Sequence, residues 1–296
     1  MLKQAVFKGA CTALITPFNE NGIDYDRLSK NINFQYENDV SAVLVCGTTG
    51  ESPTISQNEF VELVRYTVRE VNSRMKVIVG VGGNNTSEVL RKAEDAKFLG
   101  ADAILMGTPY YNKTSQKGLI EHFSFVADRV SIPMMLYNVP SRTGIGIDVD
   151  TYKELSAHPN INGVKEASGD LSLIAKIKAC CGDDLNIWSG NDDNTIPIIS
   201  LGGQGIISVV GNIIPSVIVK ICKLCFENDY TAATELYSKY ASLFSAMFIE
   251  TNPIPVKTAM KLLDTDSGYM RLPLTNISEE HLTTLRSIMR DNGLNV

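Results

Sequence analysis

Short apolar segments alternate with helical patterns along most of the chain. Eight segments of strand length recur at intervals of about 20 to 35 residues, and each ends in Gly, Thr, Pro, Asn or Ser. The segments begin near Cys11, Val43, Val77, Ala103, Met134, Ile161, Leu185 and Gly205. Because a helical pattern comes after each segment, the alternation predicts parallel strands connected by helices.

The helical patterns carry their own start and stop signals. Ser56 and Glu59 have the Ser-x-x-Glu spacing of a capping box, and apolar residues then share one helical face over residues 60–71. A second pattern begins after Thr86, and Gly100 beyond its last apolar residue is typical of a helix C-cap. Both segments are therefore predicted to be amphipathic helices.

Eight alternations predict a (β/α)8 TIM barrel, with a doubly wound open sheet as the alternative. Strand signals stop after about residue 225, and helical patterns occupy residues 230–248, 255–263 and 278–289. We expect residues 1–225 to form a barrel catalytic domain and residues 226–296 to form a C-terminal helical extension. The active site of such a barrel lies at the carboxyl ends of its strands.

The composition of the chain indicates which kind of molecule the protein binds. The 296 residues are 44% hydrophobic and 20% charged, with a formal net charge of −6 and no run of lysine or arginine, which argues against nucleic acid or an anionic membrane. Residues 1–18 lack the apolar core and cleavage site of a signal peptide, and the apolar stretch 205–219 is interrupted by polar residues and a proline. A small-molecule substrate is the expected partner.

The cysteines and histidines give no sign of a metal site. Six cysteines without a signal peptide predict reduced thiols in a cytoplasmic protein. Cys222 and Cys225 have CxxC spacing, but no second pair completes a zinc site. His122, His158 and His281 are scattered along the chain, so a metal-dependent aldolase would lack its ligands.

Lys165 occupies an unusual place for a charged side chain. It comes directly after the strand-like run 161–164, so it is predicted to be the last residue of a buried strand. Burial favours the neutral form of an amine, which is the form that attacks a carbonyl group. Lys165 is therefore a candidate Schiff-base nucleophile, although a lysine here can also simply cover the rim of a barrel.

The second strand segment ends in GTTGES at residues 47–52. Its backbone N–H groups and threonine hydroxyls stand just before a predicted helix N-terminus, an arrangement that suits a carboxylate. The alternative is a glycine turn that only joins a strand to a helix.

The fifth segment leads into YNVPSRTG at residues 137–144. Tyr137 at a strand end can shuttle a proton, and Arg142 can hold a carboxylate through its guanidinium. As a structural alternative, Tyr137 belongs to the core and Arg142 to a surface ion pair.

Tyr110 and Tyr111 come after the fourth segment, and two adjacent aromatic residues must point in different directions. One is expected to pack, and the other to face a site or a neighbouring chain.

Other catalytic motifs are incomplete. Gly80 and Gly82 come at the end of a strand segment, but the dinucleotide-binding fingerprint requires a glycine where Asn85 stands. The chain also contains no Gly-x-Ser-x-Gly nucleophile elbow.

Three stretches together resemble one enzyme family. GTTGES at 47–52, YNVPSRTG at 137–144 and GVKEASGD at 163–170 are similar to the strand-end motifs of the dihydrodipicolinate synthase family. This family belongs to the pyruvate-dependent, N-acetylneuraminate lyase-like aldolases. The resemblance covers essentially the whole chain, with the motifs in matching order and spacing.

The resemblance implies a chemical role for four residues. Lys165 would form a Schiff base with pyruvate, so that no cofactor is needed beyond this covalent imine. Tyr137 would be the central acid and base, connected through Thr48 to a Tyr111 that the neighbouring subunit provides. A tyrosine shared in this way implies a homo-oligomer, at least a dimer and a tetramer by the family pattern.

The resemblance also implies binding residues. Thr49 and the backbone at Thr48 would hold the carboxylate of pyruvate, and Arg142 would hold that of L-aspartate 4-semialdehyde. Gly190 and Ile207 would line the pyruvate pocket. The implied product is 4-hydroxy-tetrahydrodipicolinate, in lysine and diaminopimelate biosynthesis. The alternatives are another pyruvate-dependent aldolase, such as N-acetylneuraminate lyase, and a catalytically idle binding protein on the same scaffold.

Feedback inhibition by lysine is less well supported. Four residues match the inhibitor site of lysine-sensitive family members: Ser52, Asn84, Glu88 and Tyr110. Gln57 and Phe60 stand where histidines occur in those members. These departures put regulation by lysine in doubt.

Overall fold

Eight parallel strands close into a barrel in this computed structural model, which describes residues 3–296. The barrel strands are β1 (Gly9–Ala13), β4 (Ala42–Val45), β5 (Lys76–Gly80), β6 (Ala103–Gly107), β7 (Met134–Asn138), β8 (Ile161–Glu166), β9 (Asn186–Ser189) and β10 (Gly205–Ser208). Because β1 pairs with both β4 and β10, the sheet has no open edge. The predicted (β/α)8 barrel is confirmed, and the doubly wound sheet is excluded.

Helices surround the barrel and continue beyond it. Their bounds are α1 (Tyr25–Glu37), α2 (Gln57–Val71), α3 (Thr86–Phe98), α4 (Gln116–Ala127), α5 (Pro140–Thr143), α6 (Val149–Ser156), α7 (Leu171–Cys181), α8 (Thr195–Ser200), α9 (Pro215–Phe226), α10 (Tyr230–Ala246), α11 (Ile254–Leu262) and α12 (Glu279–Asp291). A short hairpin, β2 (Phe18–Asn19) and β3 (Gly22–Ile23), precedes α1. Within residues 3–296, no helix combines the length and apolar character needed to cross a membrane.

The helix boundaries largely agree with the sequence signals. The capping box of α2 is present, since the Ser56 hydroxyl accepts from Glu59 N and the Glu59 carboxylate accepts from Ser56 N. At α3 the prediction needs a small correction. Leu99 is the C-cap, and Gly100 comes one residue later with a φ of 91°, a left-handed backbone that glycine adopts without strain.

Aromatic packing fills the amino end of the barrel. Phe7 stacks on Trp188 of β9 with ring centroids 5.1 Å apart, and Trp188 Nε1 donates to Phe7 O over 3.3 Å. Both rings are buried. This pair helps to close the barrel at the end opposite the carboxyl ends of the strands.

The C-terminal helices share a core with the barrel. Apolar residues of α10, α11 and α12 pack in one cluster with β1, β10 and α9. A buried ion pair adds a second connection, because Lys257 of α11 lies 2.7 Å from Glu51 and both side chains are fully buried. Lys257 Nζ also donates to Thr16 O and Tyr269 O, and Arg271 N donates to the other Glu51 oxygen. Each charge is thus compensated inside the protein.

We predict that Lys257→Met lowers the free energy of unfolding by about 3–5 kcal/mol, because it leaves the Glu51 carboxylate buried without its cation. Urea denaturation measures the change. Lys261→Met, on the exposed side of the same helix, is the matched control and should change stability by less than about 0.5 kcal/mol.

Removing the second charge tests the cause. The double variant Glu51→Gln/Lys257→Met should recover part of the lost stability, since it no longer buries an unpaired charge. Equal stability of the single variant and the native protein would contradict this account of the ion pair.

Candidate active site

A cavity of about 390 Å³ opens at the carboxyl ends of the barrel strands. Six of the eight residues predicted to act in catalysis or substrate binding line it: Thr48, Thr49, Tyr137, Arg142, Lys165 and Gly190. They come from the ends of different strands, and only closure of the barrel brings them together. The predicted location of the site is therefore the place where these groups meet.

Lys165 projects into this cavity from β8. It is the penultimate residue of the strand, one position earlier than predicted, because Glu166 continues the pairing with β7 and β9. Lys165 is buried, and its Nζ lies 4.5 Å from the centroid of the Tyr137 ring. Among residues 3–296, no hydrogen bond or ion pair engages the Lys165 amine. The amine is thus available to a ligand.

Gly190 leaves the space that Lys165 needs. A Cβ atom built on Gly190 would lie 3.2 Å from Lys165 Cε and 2.6 Å from the Cβ of Ala167. Any side chain here would therefore displace the lysine or the backbone beside it. Glycine at this position is a steric requirement of the site.

The turn at residues 47–52 leads into a different element from the one predicted. A 3-10 helix over Ser52–Thr54 comes next, and α2 begins only at Gln57. Since the turn does not directly precede an α-helix, its anion-binding capacity comes from its own N–H groups. Glu51 N and Ser52 N are bonded within the turn, whereas the N–H groups of Thr48 and Thr49 have no acceptor among residues 3–296. These two groups remain free to bind a carboxylate.

Arg142 stands at the opening of the cavity. It lies in α5, directly after β7, and it is exposed. Arg142 Nη2 donates to Asn252 O over 3.4 Å, and Asn252 Nδ2 donates to the Thr49 hydroxyl over 3.0 Å. The segment between α10 and α11 thereby contacts both predicted carboxylate-binding residues.

A carboxylate is buried directly beside Lys165 in the same strand. Glu166 accepts two hydrogen bonds from Asn138 Nδ2, one from Tyr152 Oη and one from Ser168 N. Burial and the neighbouring Glu166 hold the pKa of Tyr152 well above its usual range, so that Tyr152 remains a donor. The Glu166 charge is compensated by these donors and not by the amine of Lys165.

Asp192 plays a similar part just after the neighbouring strand β9. Its buried carboxylate accepts from the Ser208 hydroxyl and from Val209 N and Val210 N. Burial raises the pKa of Asp192, while these hydrogen bonds and the nearby Lys165 oppose the shift. Asp192 thus connects the end of β9 to the end of β10.

Two predicted residues do not line the cavity of their own chain. Tyr111 is 89% exposed, with a φ of 70°, while Tyr110 lines the cavity. Ile207 is fully buried inside the barrel, and Val209, two residues later, lines the cavity instead. The roles of Tyr111 and Ile207 therefore stay predictions.

Three of the four residues matched to an inhibitor site lie at or beside the cavity. Ser52 lines the cavity together with Tyr110, and Asn84 Nδ2 donates to Tyr110 O over 3.4 Å. Glu88 is exposed on α3.

Four buried polar or charged residues escaped the sequence analysis: Glu166, Asp192, Asn252 and Lys257. A second charge next to Lys165 in one strand was the signal for Glu166, and an acidic pair after the seventh apolar segment was the signal for Asp192. Lys257 is fully buried, although nothing in its helical surroundings marks it. Among residues 3–296, no group of His, Cys, Asp or Glu could hold a metal ion.

The site can bind and activate a small carbonyl compound. The unpaired amine of Lys165 lies against the Tyr137 ring. The free N–H groups of Thr48 and Thr49, the Thr49 hydroxyl and the Arg142 guanidinium belong to residues that line the same cavity. These groups suit a ligand that carries both a carbonyl and a carboxylate group.

Comparison with known proteins agrees with this chemistry. The 4-hydroxy-tetrahydrodipicolinate synthase 1 of Clostridium acetobutylicum is 48% identical over 290 residues, covering 98% of this chain and 99% of the relative. The crystal structure of dihydrodipicolinate synthase from Aquifex aeolicus matches with a TM-score of 0.95 at 42% identity, covering 97% of this chain and 99% of that one. A structure described as the first monomeric dihydrodipicolinate synthase variant matches with a TM-score of 0.96 at 38% identity, covering 98% of each chain. The model of the dihydrodipicolinate synthetase family matches residues 6–292, and the chain belongs to this family.

Proposed function

We propose that this protein condenses pyruvate with L-aspartate 4-semialdehyde to give 4-hydroxy-tetrahydrodipicolinate, a step of lysine and diaminopimelate biosynthesis. The observation that carries the proposal is the buried, unpaired amine of Lys165 against the Tyr137 ring in the cavity. Relatives named 4-hydroxy-tetrahydrodipicolinate synthase support it, since two of them are 48% identical over 98% of this chain. A direct test compares turnover of pyruvate with aspartate semialdehyde against pyruvate with N-acetylmannosamine, the pair expected for a sialic acid lyase.

Lys165 begins the reaction as a nucleophile. Its neutral amine adds to the ketone carbon of pyruvate, and loss of water gives an imine. Removal of a methyl proton converts the imine to an enamine, whose carbon attacks the aldehyde of the semialdehyde. The amine of the bound semialdehyde then attacks the imine carbon, closes the ring and releases the Lys165 amine. No cofactor takes part in these steps.

Tyr137 moves the protons, since its ring is the aromatic group next to the Lys165 amine. Thr48 and Thr49 hold the pyruvate carboxylate through their free N–H groups, and the Thr49 hydroxyl assists. A positioned acid or base typically contributes 100- to 10,000-fold, at about 1.4 kcal/mol for each factor of ten.

The assembly is proposed to be a homo-oligomer in the cytoplasm. Tyr111 is 89% exposed and does not line the cavity of its own chain, which supports a role at the active site of another subunit. A dimer is the smallest assembly that allows this, and a tetramer agrees with the family pattern. One structural relative is described as a monomeric variant, so the mass of this protein in solution tests the proposed homo-oligomer.

We predict that borohydride with pyruvate adds a stable adduct to Lys165, because only a reducible imine is trapped. Mass spectrometry of the digested protein measures the position. Lys257 is an internal control, since all its donors are already engaged, and it should carry no adduct. An adduct elsewhere, or none, would remove Lys165 from its assigned role.

Arg142→Ala should lower kcat/KM for the semialdehyde by at least about tenfold, because a charge-assisted hydrogen bond contributes roughly 1.5–3 kcal/mol. Imine formation with pyruvate should be less affected. Steady-state kinetics and borohydride trapping separate the two. Arg142→Lys, which keeps the charge but not the planar guanidinium, should have a kcat/KM between those of the native protein and the alanine variant. Equal damage to both half-reactions would mean that Arg142 binds pyruvate or is structural.

Mixing Tyr111→Phe with Lys165→Ala should restore some activity when subunits exchange, because one mixed site then contains two intact contributions. Each variant alone should be nearly inactive. Activity after mixing is compared with that of each variant mixed with itself. Verified subunit exchange with no return of activity would show that Tyr111 serves its own chain or no site at all.

A further inference from the structure

Asn252 lies between the two carboxylate-binding residues, although it belongs to the segment that joins α10 to α11. It is 5% exposed and lines the cavity. The side-chain amide donates to the Thr49 hydroxyl over 3.0 Å, while the backbone carbonyl accepts from Arg142 over 3.4 Å. One residue therefore contacts both groups, through chemically separate atoms.

The direction of the hydrogen bond between Asn252 and Thr49 decides whether the Thr49 hydroxyl proton is free to bind a ligand. Because the Asn252 amide donates, the Thr49 oxygen is the acceptor in this contact. The hydroxyl proton has no acceptor among residues 3–296, so it is available to a ligand. Asn252 Oδ1 is itself buried without a partner in this part of the chain, at a cost of about 1–3 kcal/mol for an unsatisfied acceptor. The opposite amide orientation would satisfy Oδ1, but it would engage the Thr49 proton within the protein.

We propose that Asn252 is a positioning residue that fixes the Thr49 hydroxyl as a hydrogen-bond donor to the carboxylate of pyruvate. This inference rests on the proposed use of pyruvate at Lys165. It assigns part of the substrate specificity to the C-terminal extension, because Asn252 lies outside the eight barrel units. The side chain acts on pyruvate alone, since the contact to Arg142 comes from the backbone.

Asn252→Ala should raise the pyruvate concentration that half-saturates borohydride trapping by about tenfold, as expected for one lost hydrogen bond. The KM of the semialdehyde should change by less than about twofold, because alanine retains the carbonyl that contacts Arg142. Asn252→Asp should weaken pyruvate binding at least as much, since a carboxylate can only accept from Thr49 and also repels a second carboxylate. The aspartate variant has nearly the same shape as the native residue and gives a result even if the alanine variant fails to fold.

Asn292→Ala is a matched control. Asn292 lies after α12, its amide donates to the Ser242 hydroxyl over 3.0 Å, and its Oδ1 is likewise buried without a partner among residues 3–296. Its replacement removes the same kind of contact away from the cavity. Pyruvate half-saturation should be unchanged in this variant.

A double-mutant cycle separates positioning from a general structural effect. If Asn252 acts through Thr49, then Thr49→Val and Asn252→Ala should weaken pyruvate binding by similar factors, and the double variant no more than Thr49→Val alone. Multiplying effects, or native pyruvate binding by Asn252→Asp, would overturn the inference while leaving Lys165 trapping intact. Absence of borohydride trapping at Lys165 in the native protein would overturn the proposed function itself. Failure of the inference about Asn252 and failure of the proposed function are therefore distinguishable.

Discussion

The buried ion pair between Glu51 and Lys257 is the constraint on which the end of the barrel that carries the candidate active site depends. Glu51 has a φ of 56° in the turn that carries Thr48 and Thr49, and its side chain is completely shielded from water. A carboxylate in that position requires a fixed cation, because its desolvation costs several kcal/mol. Lys257 provides it from α11, so the C-terminal extension holds the turn in place.

The same extension completes the opening of the cavity. Asn252 contacts Thr49 and Arg142 from the segment just before α11, and Lys257 comes shortly after it in that helix. The barrel alone places the proposed nucleophile and the phenol beside it, whereas the extension contacts the groups proposed to bind carboxylates. The C-terminal extension is therefore part of the candidate site, because Asn252 and Lys257 both contact residues at its edge.

The charges around Lys165 are arranged so that its amine stays unpaired. Glu166 and Asp192 are both buried nearby, yet each carboxylate is satisfied by hydroxyl, amide or backbone donors. A direct ion pair with either would hold the ammonium form and withdraw the amine from chemistry. Dedicated donors for the carboxylates leave the amine free to attack a carbonyl carbon.

Much of this protein is determined by its sequence pattern. Strands of period two or continuous apolar character, separated by amphipathic helices, specify the barrel, and the barrel necessarily gathers strand ends at one edge. The positions of Thr48, Tyr137 and Lys165 result from that rule, since each stands at or just after a strand end. Lys165 and Tyr137 can be recognised as candidates in the sequence because an amine and a phenol are unusual at the end of a buried strand.

The tertiary structure alone decided the supporting contacts. Glu51 and Lys257 are 206 residues apart, and Asn252 and Thr49 are 203 apart, so no local pattern relates them. Lys257 also lies in an ordinary helical segment, where the sequence gives no sign that its ammonium is buried. Local periodicity reports which face of an element is apolar, but a polar partner across the molecule depends on how whole elements pack. That is why the candidate catalytic residues could be named from the chain, and the residues that position them could not.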